Sequence, residues 1–358
     1  MTSFPPPRPY ADDVEIIPAD EADDILRVFQ ALETILKRTQ ARTGQFRADV
    51  HVKAHGYARG EFRVLPNLPD ELAQGLFHEE RIYPTVVRFS NGASQPQSDA
   101  LPDARGLAIK VLEVAGDMVL TDELRGPTQD FIMINHPVFF ARNVKDYLRL
   151  EQILAQPNDS PLATLQGVLT GGDWNPLHWH WREMLTAAQT VGHFPSHLAN
   201  TTFFSMTPIR YGKFIAKYRV KPTEMHDDSL LKQMQQLGTE ADALRVGLEE
   251  RLRTQDVRFE FQVQLRTSIT TMPIEDASIE WPESQSPFRT VAHLVLPRQE
   301  IESLRHQPEF QKLSFNVWHA LAVHRPLGGI NRVRRWAYAF SAAWRHQAME
   351  SASSAAPQ

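Results

Sequence analysis

The chain has 358 residues, 42% of them hydrophobic and 23% charged, with a net charge of -5. This is the profile of a soluble globular protein of one large domain or two ordinary ones. It contains no cysteine, which excludes disulfides, zinc–thiolate sites, iron–sulfur clusters and cysteine nucleophiles. No run reaches 18 apolar residues and no basic block is long enough to grip nucleic acid, so neither a membrane nor a nucleic-acid partner is expected.

In chain order, residues 1–19 read as a Pro-rich, acidic arm without the pattern of a signal peptide, and the expected location is the cytoplasm. Residues 20–40 carry a helical stripe of Ile25, Val28, Phe29, Leu32, Ile35 and Leu36. Strand-like stretches follow at 50–65, 85–90, 106–114 and 130–134, and the glycines of the first predict a weak or bulged strand. A helix is predicted over 144–156, a strand over 213–220, and a pair of helices within 222–254. In "VRFEFQVQL" (257–265) apolar and polar residues alternate strictly, the mark of a half-buried strand. Helices are predicted over 298–306 and 330–348, and a disordered tail over 351–358. Strands first and helices last, without repeat or linker, describe an α+β fold built on a large antiparallel sheet or barrel, with one domain over 20–350.

Five stretches could carry chemistry. "HVKAHGYARGEFRV" holds His51 and His55, and histidine titrates near neutrality, as a general base must; two solvent-facing histidines on a strand would look the same. Arg88 stands in an apolar strand and needs an anionic partner, either an internal carboxylate or a ligand's. Asn135 follows a strand and precedes His136-Pro137, where the chain must turn. His178 and His180 in "LHWHW" share a strand face but have no third ligand nearby, so aromatic packing competes with a metal pair. In "RVRRWAYAF" (332–340), Arg334 and Tyr338 are four apart and share a helix face. An isolated phenol is neutral at pH 7, whereas a guanidinium beside its oxygen favours the phenolate, a hard anionic ligand suited to ferric iron. Arg335 is also within reach, and a basic helix whose aromatic residues simply pack is the alternative.

Taken in order, these stretches resemble the haem catalase superfamily. The resemblance is carried by "VHVKAHGYARGEFRV", "VRFS" (87–90), "DARGLAIK" (103–110), "NHPVFFAR" (135–142), "VAHLVLPR" (291–298) and Arg334 with Tyr338. It is closest to a short, catalase-related branch, through "MPIEDASIEWPE" (272–283) and "RPLGGINRVRRWAY" (325–338). That branch includes small haem peroxidases and catalase-like allene oxide synthases.

The resemblance implies an antiparallel β-barrel core with inserted and C-terminal helices, haem b as cofactor, and hydrogen peroxide or an organic hydroperoxide as substrate. It implies Tyr338 as the iron ligand, Arg334 as its charge partner, His51 as distal base, Asn135 as distal amide and Ser90 as distal serine. Arg88 and Arg47 would bind propionates, and Tyr147 would stack on the haem. Two departures stand out. The family's arginine three residues before the distal histidine is Ala48 here, with Arg47 one step away, and the stretch after His51 is one residue longer than in typical catalases. A gapless match to typical catalases would put Ile134 rather than Asn135 at the distal amide. A hydroperoxide isomerase and a haem-binding protein with little turnover are the alternatives to a peroxidase or catalase. The family also implies a homo-oligomer, although the short arm suits a dimer or a monomer.

Overall fold

A computed structural model of the chain describes residues 4–43, 53–93, 97–122, 125–156, 192, 197–224 and 241–338. Its centre is a closed antiparallel barrel of eight strands. Strands β1 (Ala54–Val64), β2 (Ile82–Asn91), β3 (Arg105–Val111) and β4 (Gln129–Ile134) form a meander. The ring returns through β9 (Arg289–Leu296), β8 (Val257–Leu265) and β7 (Phe214–Pro222). The two-residue strand β5 (Phe203–Phe204) pairs with both β4 and β7 and shuts the barrel. A ninth strand, β6 (Ile209–Tyr211), adds to β7.

The period-2 alternation read from the sequence sorts each strand into an inner and an outer face. Phe62, Phe131, Tyr218 and Phe261 meet inside, with ring centroids 5.1 Å apart for Phe62–Phe261 and Phe131–Tyr218 and 4.7 Å for Phe131–Phe261. These four come from β1, β4, β7 and β8, so aromatic contacts across the barrel tie its opposite walls. Each such ring, buried from water, contributes about 1.5–3 kcal/mol. Gly60 is needed at its place: a Cβ there would come within 2.9 Å of the Val295 carbonyl oxygen on the neighbouring strand. The predicted irregularity of β1 is a bulge between Ala54 and Gly56.

Helices cover the outside. Helix α1 (Glu21–Thr43) packs along α2 (Val144–Ala155), joined by Val28, Leu32, Val144, Leu148 and Val333. Helix α3 (Ala243–Thr254) buries Leu244, Leu248 and Leu252 in the barrel's core cluster. A single turn, α4 (Pro308–Gln311), precedes α5 (residues 329–338). The helix expected over 298–306 is a correction: only Leu304–His306 coil, as a 3₁₀ turn. Gln299 is pinned instead, its backbone N–H to Leu252 and its side chain to both backbone groups of Arg59. Tertiary hydrogen bonds hold this stretch against its helical propensity. Among the described residues no helix is long and apolar enough to cross a membrane.

Candidate active site

Helix α5 begins at a turn only glycine fits. Gly328 has φ +87°, and a Cβ there would stand 2.5 Å from the Ile274 carbonyl oxygen. The exposed N–H groups of a helix start attract anions. Here Gly328 N–H donates to Glu15 at 2.8 Å and Gly329 N–H to Glu275 at 2.9 Å. Arg332 then binds the same carboxylates, with Nη2 2.8 Å from both Glu275 and Glu21 and Nη1 2.5 Å from Glu15. Burial alone would lower the Arg332 pKa; the Glu21 and Glu275 carboxylates more than reverse this and raise it. Arm, α1 and the "MPIEDA" loop are thus bolted to one helix.

One turn further on, that helix presents Tyr338. Arg334 donates to its phenolic oxygen twice, from Nη2 at 2.9 Å and Nε at 3.2 Å. The other arm of the guanidinium, Nη1, lies 3.3 Å from Asn331 Oδ1 and 3.4 Å from Thr207 Oγ1. Arg334 is only 9% exposed, and among the described residues no carboxylate pairs with it. A buried cation needs hydrogen-bond acceptors. Here the phenolic oxygen of Tyr338 is the one that takes two of its donors. Arg335, the other candidate, is exposed and lies over the Trp318 ring, 5.1 Å from its centroid. The geometry therefore selects Arg334 as the tyrosine's partner.

Tyr338 packs against a small cluster formed by Ala108, Ile132, Val317 and Trp318. Ala108 and Ile132 are register neighbours on the outer face of β3 and β4, and Arg88 continues that row on β2. The next row is Ser90, Gly106 and Ile134. Arg88 and Ser90 thus stand on the same sheet face as the residues against which Tyr338 packs. Ile134, not Asn135, shares the row of Ser90. Asn135 lies one residue past the strand, and its Oδ1 accepts the Arg105 backbone N–H at 2.8 Å. A backbone N–H can only donate, so the amide's orientation is fixed and its Nδ2 is left as the donor. Tyr147 packs edge-on to Phe139, at 5.9 Å, beside α1, α2 and α5. His51, Arg47, His178 and His180 lie outside the described residues.

His55 is the bulged residue of β1 and is fully buried. Its Nε2 is 2.6 Å from Asn91 Oδ1, which also accepts Arg105 Nη1 at 2.6 Å, and its Nδ1 faces Asp99 at 3.7 Å. Burial pushes its pKa down to about 4, against the pull of Asp99 and Asn91. Lys53 is fixed to the same Asp99 at 2.7 Å and to Asp242 at 3.0 Å.

A second network was missed in the sequence. Lys110, fully buried on the outer face of β3, contacts Asp122 and Asp130 at 2.8 Å each. Asp130 also accepts the Asn316 backbone N–H at 3.0 Å and faces His319 at 3.1 Å. The network thereby anchors residues 316–319, and with them the Trp318 against which Tyr338 packs. The signal was present: a lysine and an aspartate in successive apolar strands pair across the ladder.

The family model described as Catalase matches residues 11–316. Solved structures agree with it. A fungal catalase superposes with a TM-score of 0.65 at 16% identity, covering 96% of this chain and 66% of that one. Catalase A from Saccharomyces cerevisiae gives 0.66 at 16%, covering 96% and 68%, and a bacterial catalase gives 0.58 at 16%, covering 94% and 64%. No curated protein sequence matches. The chain belongs to the catalase family and spans about two thirds of the length of these solved catalases. The matched region ends before α5 and does not include Arg334 or Tyr338.

Proposed function

We propose that the protein is a haem-dependent oxidoreductase that consumes hydrogen peroxide or organic hydroperoxides, with Tyr338 as the iron ligand. The observation that carries this reading is the doubly hydrogen-bonded phenolic oxygen of Tyr338, held by a buried Arg334 that pairs with no carboxylate among the described residues. The residues present fit the cofactor. A phenol oxygen held by a guanidinium is a hard oxygen donor, and tyrosine is the axial ligand of catalase haem. Arg88 on the facing sheet supplies a cation for a propionate, with Arg47 as a second.

Haem, when bound, supplies the iron and the electrons with which the peroxide O–O bond is cleaved. The chain supplies the rest. Arg334 concentrates positive charge at the Tyr338 oxygen and keeps it directed along one line. His51 takes a proton from one peroxide oxygen and returns it to the other, the work of a base that titrates near neutrality. Ser90 and the Nδ2 of Asn135 offer hydrogen bonds. Ile132 and Ile134 exclude water from the rows around Ser90 and make this face hospitable to the chain of an organic hydroperoxide.

The test is turnover by the haem-loaded protein. His51→Ala should keep its haem and lose at least 100-fold in peroxide consumption, about the least a general acid–base residue contributes. Turnover unchanged in this variant contradicts the role of His51. The same apolar rows admit hydroperoxide isomerisation. Ketols formed from a fatty-acid hydroperoxide without added reductant identify that activity, whereas alcohol formed only with an electron donor identifies a peroxidase. A loaded protein that does neither, and that neither evolves oxygen from hydrogen peroxide nor oxidises a dye with it, is a haem carrier.

A further inference from the structure

We propose that Thr207 and Asn331 are positioning residues that aim Arg334 at the Tyr338 oxygen without neutralising it, and that the strained turn at Met206 exists to present Thr207. The proposal rests on the reading of Tyr338 as an iron ligand and extends it to the groups behind the arginine.

A guanidinium has a planar fork of five N–H donors. Arg334 commits Nε and Nη2 to Tyr338, so its direction is set by what holds Nη1. Asn331 Oδ1 and Thr207 Oγ1 take that side, at 3.3 and 3.4 Å. Each contact is long, but together they bracket one nitrogen.

Both holders are themselves fixed. Asn331 is 1% exposed, and its Nδ2 donates to the carbonyls of Leu327 at 2.8 Å and Pro208 at 3.1 Å. Carbonyls only accept, so Oδ1 must face the other way, toward Arg334. Its own carbonyl accepts Trp318 Nε1 at 2.7 Å. Thr207 Oγ1 lies 3.1 Å from Asn331 Oδ1 and 3.3 Å from the Ser205 carbonyl. Its single proton goes to one of these, which leaves its lone pairs for the guanidinium.

Met206 shows what this placement costs. Its φ is +62°, and the Thr207 N–H reaches back to the Ser205 carbonyl at 2.7 Å. This is a γ-turn with positive φ, a rare and strained conformation for a residue with a Cβ. Met206 is buried, so neither solvent nor a glycine relieves it. Strain of this kind persists only where the surroundings impose it, and it clusters at functional sites. Here it puts Thr207 beside Arg334 from a segment 127 residues away in sequence.

The choice of neutral holders matters. A carboxylate in place of either would bind Arg334 equally well and draw its charge away from Tyr338. An amide and a hydroxyl fix the direction and leave the charge undivided.

The experiment uses the full chain loaded with haemin, comparing wild type with T207V, T207S and N331D. The readouts are the iron–phenolate stretch in resonance Raman spectra and the rate at which haemin is lost to a scavenging apoprotein. T207V should shift the stretch and release haemin about tenfold faster, the scale of one hydrogen bond to a charged group. T207S should restore both, and N331D should shift the stretch by quenching the arginine. Should T207V not fold, T207A removes the same hydroxyl without the second methyl. A stretch and release rate equal to wild type in the folded Thr207 variant and in N331D overturn the proposal. No iron–phenolate band in the wild type overturns the ligand assignment itself, and the proposal with it.

Discussion

His55 and His324 set the acid limit of the fold. Burial pushes both pKa values down to about 4. In the unfolded chain they titrate near 6.5. Between those values the unfolded state binds more protons, so stability falls as pH drops from about 6.5 to 4 and is fully present above that window. Each histidine contributes a slope of about 1.4 kcal/mol per pH unit within it. His324 Nε2 accepts the Leu76 N–H at 2.9 Å, a role that a glutamine oxygen can take. Urea unfolding at pH 6 to 4.5 should therefore show the pH slope of H324Q reduced by about 1.4 kcal/mol per unit. An unreduced slope would show that His324 does not titrate as its burial implies. Spacing within "HVKAH" offered both His51 and His55 as bases, and the family resemblance selected His51. His55 is fully buried at a bulge, through Asn91, Asp99 and Arg105, which no spacing within that stretch reveals. Asn331 stands three residues before Arg334 on the same helix face, but nothing in the sequence singled it out. Its partner Thr207 comes from a distant turn, which is why the pair was not legible.

At the scale of elements, α5 is held by ions rather than by its own propensity. Arg332 faces Glu15, Glu21 and Glu275, and removing it leaves three part-buried carboxylates together. R332M should cost about 3–5 kcal/mol in chemical unfolding, the usual penalty for breaking a buried ion cluster by removing one member. It should also loosen haemin, because α5 carries Tyr338. A variant as stable as wild type would show that the clamp is incidental. "MPIEDA" and "RPLGGINR" were legible as motifs, but the sequence did not show that they meet. The strong alternation of β8 and the stripe of α1 were legible because each is one-sided and long. Strands β5 and β6 were not, since two or three residues carry no period. The stretch 298–306 misled because its composition is helical and its hydrogen bonds are not.

At the scale of the molecule, barrel closure makes the site. The two residues of β5 bring β4 beside β7, and the segment that follows β5 carries Met206 and Thr207 to the helix that bears Arg334. The outer face of β2–β4 then meets α5 from the other side. Haem ligation by Tyr338 is the claim on which the functional account depends, and the absorption spectrum of the purified chain tests it most directly. The wild type, mixed with haemin, should give a high-spin ferric spectrum with one haem per chain, and Y338F should lose or shift it. A wild type that takes up no haemin, or a Y338F spectrum identical to wild type, would contradict the account.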